Sequence, residues 1–277
     1  KYKWADYTGD DVEIEKEVAL AKKAGVEIKR SYRVGKSLFM FLLKECSDVL
    51  IEDITCENSS IWCMRIWGSN RVTIRGVTIL SDLKMGVNSD GIDLVGTSNA
   101  HITGCTISTA DDAICLKSDV WPGGTKAYPV ENVLVDNCIL TSSSTALMIG
   151  TETLQPIRHV IFSNCVIRQS NKGFGINVQD GATVSDIVYS NLIIELHRRH
   201  WNWWGDAEAF YFVLKKRNPD SPVGTIKNIT IDNVTAYAQG TSRMITTVDK
   251  PLENIRISNL RIFMEPEATP DKRTSHA

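Results

Sequence analysis

One seven-residue pattern recurs eight times along the chain, and few folds can accommodate it. It reads "VLIEDIT" from Val49, "VTIRGVT" from Val72, "AHITGCT" from Ala100, "VLVDNCI" from Val133, "VIFSNCV" from Val160, "IVYSNLI" from Ile187, "ITIDNVT" from Ile229 and "IRISNLR" from Ile255. The starting points are separated by 23, 28, 33, 27, 27, 42 and 26 residues. Each copy alternates apolar and polar residues at strand period, reaches Asp, Gly or Asn at its fifth position, and resumes with an apolar residue. This predicts a short strand, a bend and a second strand in every copy. The fifth-position series is Asp53, Gly76, Gly104, Asn137, Asn164, Asn191, Asn233 and Asn259. These residue types tolerate left-handed backbone or bond their own main chain. Stacked, the later ones predict an asparagine ladder. The sixth position reads Ile54, Val77, Cys105, Cys138, Cys165, Leu192, Val234 and Leu260, so three cysteines fall in an inward column and act as small hydrophobes.

Coils of roughly 20 to 30 residues that bury a face only against their neighbours make a solenoid. The expected class is all-β, a parallel β-helix of about eight or more coils. A βαβ protein would need a helical pattern between strands. The helical-looking segment is "DVEIEKEVALAKKAG", residues 11–25, which precedes the repeats and has Gly25 as a stop. It is expected to cap the open end of the solenoid, which otherwise exposes a sheet edge. The organisation expected is one domain over 1–277: an N-terminal helical cap segment at 1–48, stacked coils over 49–264 and a tail at 265–277.

Composition rules out several partner classes. The 277 residues are 43% hydrophobic and 23% charged with a net charge of −2, so nothing in the bulk indicates a nucleic-acid or membrane partner, although "LKKR" and "HRRH" form local basic patches. No apolar stretch approaches a membrane span, and no signal-peptide pattern opens the sequence, which reads as starting inside a longer gene product. Seven cysteines, an odd number without paired CxxC spacing, suit neither a zinc site nor a disulfide scaffold.

A further strand in each central coil aligns as "SDGIDLV", "DDAICLK", "STALMIG" and "GFGINVQ". In this alignment Asp90 stacks under Asp112, then Thr145, then Phe174, with Asp111 flanking the row from the preceding bend. Ile92, Ile114, Leu147 and Ile176 point inward, and Lys117 faces outward with Val95, Gly150 and Gln179. Any one aspartate alone is best read as a turn residue. Three in stacked register repel one another, which raises at least one pKa and leaves an acid beside a base. Such a pair is what glycosidic hydrolysis requires. A calcium site also draws on oxygen ligands of this kind and stands as an alternative.

The segments "NSDGID" and "ADDAICLKS" closely resemble the NTDGID and GDDxIxxKS motifs of glycoside hydrolase family 28, the polygalacturonase-like enzymes. The resemblance runs from about "CSDVLIEDITCENSSIW" to "WWGDAEAFYF". It implies a right-handed parallel β-helix, inversion at the anomeric carbon and pectic substrates. It also implies that Asp111 is the general acid, that Asp90 and Asp112 position and deprotonate the attacking water, and that no metal or cofactor is needed. Two family motifs are replaced: the G-H-G histidine falls on Thr145, and R-I-K reads Gly175, Ile176, Asn177. Losing that Arg and Lys removes a carboxylate clamp. Cleavage of plain homogalacturonan by the usual mode is therefore not expected.

Two insertions are candidate cleft rims. Residues 117–132, "KSDVWPGGTKAYPVEN", are rich in Pro and Gly. The 42-residue step contains "WNWWGDAEAF", with Trp201, Trp203, Trp204, His197, His200, Arg198, Arg199 and Glu208. Tryptophan suits stacking on a pyranose while polar groups bond its hydroxyls. Bacterial members similar to this sequence carry a WWGxAEP segment, whose proline is Ala209 here. The candidate substrate-binding set is Lys117, Thr145, Glu152, Asn177, Gln179, Asp180, Trp203, Trp204 and Glu208. The leading reading is an inverting hydrolase of pectic polysaccharides or oligosaccharides, monomeric and extracellular or periplasmic. Against it stand a non-catalytic carbohydrate-binding β-helix and a polysaccharide lyase, which would need an Arg or Lys base in the central row.

Overall fold

A computed structural model describes residues 38–265, except 84, 85, 87 and 200–203. The expected helix at 11–25 lies outside these residues, as does most of the expected tail. The described residues contain strands and no helix. The chain is a parallel β-helix. One sheet of eight strands takes one strand from each coil in chain order: Phe41–Lys44, Met64–Trp67, Ile92–Val95, Ile114–Ser118, Thr145–Thr153, Lys172–Val178, Glu208–Leu214 and Arg243–Thr246. The repeat copies form the other walls. Early coils break into two arms, such as Ser98–Thr103 and Thr106–Thr109, whereas later coils run through the bend as one strand, such as Ile157–Ser170.

The repeat register is the pairing register. Val49 pairs with Val72, Val72 with Ala100, Ala100 with Val133, and so on through Val160, Ile187, Ile229 and Ile255. All eight fifth-position residues have φ between 49° and 63°. A left-handed residue costs a side chain with Cβ roughly 1–2 kcal/mol, least for Asn and Asp, which accounts for the residue choice. The sixth-position column turns inward, and Val77, Cys105, Cys138, Cys165, Leu192 and Val234 are all buried.

The asparagine ladder is shorter than the series predicts. Asn191 donates to Asn164 Oδ1 at 3.1 Å and Asn233 to Asn191 Oδ1 at 2.7 Å. Asn137, whose preceding coil has Gly104 at this position, donates to Asp136, and Asn259 donates to Asp232, a stronger acceptor than Asn233. A second set of ladders, unforeseen from the sequence, runs at the start of the repeats. Asn132 donates to Asn99 and Asn99 to Asn70; farther on, Asn254 donates to Asn228 and Asn228 to Asp186.

The site strands correct one part of the sequence alignment. Asp90, Asp112 and Thr145 share a register as expected, since Ile92 pairs with Ile114 and Ile114 with Leu147. Beyond them, Thr145 pairs with Lys172 and not Phe174, Leu147 with Phe174 and not Ile176, and Gly150 with Asn177 and not Gln179. The alignment slipped by two residues, which keeps every side chain on its own face and so leaves the alternation undisturbed. Phe174 belongs to the interior, where it stacks on Tyr189 at 4.3 Å, and Tyr189 on Phe162 at 5.0 Å.

The bend geometry makes a specific prediction. Asn191→Val places a β-branched residue at φ 54° and removes both ladder bonds. It should destabilise the protein by about 1–2 kcal/mol. Asn191→Gly, which keeps the backbone, should cost less. Urea denaturation of the pair checks this, and equal losses would show that the ladder bonds, not the bend, set the cost.

Candidate active site

Asp90 ends the "SDG" approach to the strand Ile92–Val95, and Asp112 holds the equivalent place one coil on. Gly91 sits between the two coils, where a Cβ would run into the Ala113 carbonyl. Glycine is therefore required for the coils to close this tightly. Asp111 lies on the bend before Asp112. Its backbone carbonyl accepts bonds from the Thr109 and Ser142 hydroxyls, both at 2.8 Å, which hold the bend in place. The three carboxylates meet: an oxygen from each lies within 4.8 Å of the others, and all three residues are at least nine-tenths buried.

Their environments differ. Asp112 Oδ1 accepts from Ser144 Oγ at 2.9 Å and from the Thr145 amide at 3.0 Å. Asp111 Oδ1 accepts from the Asp112 amide at 2.9 Å, yet burial, followed by the charge of Asp112, raises its pKa to about 7. Burial, with Asp111 and Asp93 adding to it, holds Asp90 well above the ordinary carboxylate range, and Asp90 Oδ1 has no hydrogen-bond partner. The cluster thus contains carboxyls that hold protons beside one fixed by two donors. Three such oxygens would also suit a hard cation, and no other residue group among those described gathers ligands in this way.

The remaining candidates divide into groups. Lys117 is buried behind the aspartates, donating to the Gly150 carbonyl at 3.1 Å, 3.4 Å from Glu152, 3.9 Å from Asp93 and 5.1 Å from the centre of the Trp62 ring. Burial opposes its charge, but Cys115, Glu152, Asp93 and Asp90 hold its pKa well above the ordinary value. Burial likewise opposes ionisation of Glu152, yet Lys117 and Arg217 bring its pKa down to about 2. Thr145 touches Asp112 through its backbone. Gln179 donates to Asn177 at 3.1 Å, and Asp180 is held by Arg217. Glu208 closes the row, paired in register with Lys172 and 3.7 Å from its ammonium. Trp204 is partly exposed on its loop, while Trp203, Trp201 and His200 fall outside the described residues. The other insertion folds back over earlier coils: Trp121 and Tyr128 pack edge-on against Trp67 at 5.5 and 5.1 Å.

Several residues of this face escaped the sequence reading. Lys172 was hidden by the two-residue slip, although adding the 27-residue step of that coil to Thr145 lands on it. Arg217 was noted only as part of "LKKR". Asp93, fully buried with neither oxygen hydrogen-bonded, lies opposite Arg65, whose guanidinium sits over Phe39, Trp62 and Trp121 at 5.3–5.5 Å. No sequence signal distinguishes Asp93 and Arg65 from ordinary strand residues.

The profile described as "Glycosyl hydrolases family 28" matches residues 29–273. The chain belongs to glycosyl hydrolases family 28. Within that family it is 28% identical over 117 residues to a "Probable polygalacturonase" of Vitis vinifera, covering 41% of this chain and 23% of the relative. Among solved structures it resembles an exopolygalacturonase from Thermotoga maritima (22% identity, TM-score 0.55, 90% of this chain and 61% of the other). It also resembles a polygalacturonase from Erwinia carotovora (18%, 0.60, 90% and 60%) and an endo-xylogalacturonan hydrolase from Aspergillus tubingensis (17%, 0.59, 80% and 61%). These structural likenesses show the shared fold. The chain spans about three fifths of the length of each of these structures and under a quarter of the plant relative.

The raised pKa of Asp111 has a consequence for stability. The folded chain binds this proton more tightly than the unfolded chain, whose aspartates titrate near ~4. Stability therefore falls as pH rises from about 4 through about 7. Asp111→Asn, which cannot ionise, should be more stable than the parent above pH 7, by on the order of a few kcal/mol, and match it near pH 4. Calorimetry across this range checks it; a difference independent of pH would mean that Asp111 titrates normally.

Proposed function

We propose that this protein hydrolyses glycosidic bonds in pectic polysaccharides or oligosaccharides, with Asp111 as general acid, Asp112 as base for the attacking water and Asp90 positioning that water. The observation that carries this reading is the meeting of three buried carboxylates within 4.8 Å, in which Asp112 is fixed by two donors 2.9–3.0 Å away while burial and the charge of Asp112 push the pKa of Asp111 up to about 7. A carboxylic acid protonated near neutral pH can deliver its proton to a leaving oxygen, and a positioned acid typically contributes 10²–10⁴-fold. Family membership and the polygalacturonase names of its relatives support pectic material as substrate. Gly175 and Asn177 in place of the family's Arg and Lys argue against unbranched homogalacturonan. Family membership fits export, outside the cell or in the periplasm, and no helix of the described residues is long and apolar enough to cross a membrane.

Inversion comes from the family. The alternative outcome is retention, with Asp112 as nucleophile. Proton NMR of the first-formed anomer on a panel of pectic substrates separates the two.

Asp111→Asn should lower turnover by 10²–10⁴-fold with unchanged thermal unfolding at pH 4. Turnover should persist in EDTA. An active Asp111→Asn variant would refute the assignment of the acid, and binding without turnover on every substrate would favour a carbohydrate-binding β-helix.

A further inference from the structure

The cations around the aspartates are already answered by the protein's own carboxylates. Arg217 presents Nε to Asp180 Oδ1 at 2.6 Å and its terminal nitrogen to Oδ2 at 2.8 Å, the two parallel bonds with which a guanidinium would receive a sugar carboxylate. The same terminal nitrogen donates to the Thr151 carbonyl at 2.8 Å and approaches Glu152 at 3.8 Å. Lys117 lies between Glu152 and Asp93, and Lys172 pairs with Glu208, both of the latter being buried. Arg65 is buried among three aromatic rings beside Asp93.

On this face Glu152, Asp180 and Glu208 stand against Lys117, Arg217 and Lys172, so these three cations are already paired. A uronate arriving here finds none of these three cations unpaired. To be gripped it must displace an internal carboxylate, leaving that group desolvated and unpaired. A neutral sugar incurs neither cost, because hydroxyl groups donate to carboxylates whose charge is already balanced.

We propose that the sugar seated against this face is uncharged, with Asp180 filling the Arg217 fork that a uronate carboxylate would otherwise occupy. This rests on the reading of the protein as a binder of pectic oligosaccharides and specifies which of their residues it accepts.

The test uses the Asp111→Asn protein, so that binding is read without turnover. Calorimetry would compare pectic oligosaccharides in two forms, native and with uronate carboxyls reduced to hydroxymethyl groups. The reduced forms should bind at least tenfold tighter. Adding Asp180→Asn, which keeps an acceptor for the Thr153 amide, frees the fork and should narrow the gap severalfold. Tighter or equal binding of the native forms, binding of neither form, or a gap untouched by Asp180→Asn would each overturn the proposal. Absence of turnover by the parent chain on oligosaccharides that do bind would instead strike the hydrolase reading and leave this one standing.

Discussion

Each coil returns the chain to the same place through a left-handed bend, and everything else in the molecule follows from that return. Because the eight bend residues share φ near 50–60°, strands from successive coils pair in parallel and in register, so residues at one offset become a row. Rows of apolar residues make the core and rows of asparagine bond along the axis. A row of carboxylates is the costly case, since identical charges are brought together with nothing between them.

That cost is managed unevenly along the site face. Asp112 receives two donors from the next coil, whereas Asp90 Oδ1 and both oxygens of Asp93 are buried without any. A buried carboxylate without partners is destabilising when ionised, and protonation relieves it. The aspartates nearest the proposed chemistry are therefore the least comfortable groups in the fold, as expected where stability is given up for reactivity. Further along the same sheet the opposite arrangement holds: Glu152, Asp180 and Glu208 each face a cation, so charge is balanced internally.

The departures from the family motifs have structural counterparts. Thr145, in the place of a histidine, supplies a backbone amide to Asp112. At Gly175, in the place of an arginine, a Cβ would lie 3.1 Å from Met148 Sδ, so the space is already shared with its neighbour. Lys172 enters the row directly after Thr145 and restores a cation close to where two were lost, but it comes with Glu208 as counter-charge.

The repeat, the bend residues, the inward cysteine column and the meeting of Asp90, Asp111 and Asp112 were all legible in the sequence, because period and residue type are local properties that stacking transmits unchanged. The register beyond Thr145 was not. A slip of two preserves the alternation of faces, so apolar pattern alone could not distinguish Phe174 from Lys172 as the next member of the row. Nor could the sequence reveal that Arg217 closes on Asp180, 37 positions away, or that Arg65 meets the rings of Phe39 and Trp121, 26 and 56 positions away, since these side chains share no pattern. By itself the sequence determined a stack of coils and the three carboxylates it aligns. Only the tertiary structure decided which charges are balanced, because that depends on distances between long side chains that periodicity does not encode.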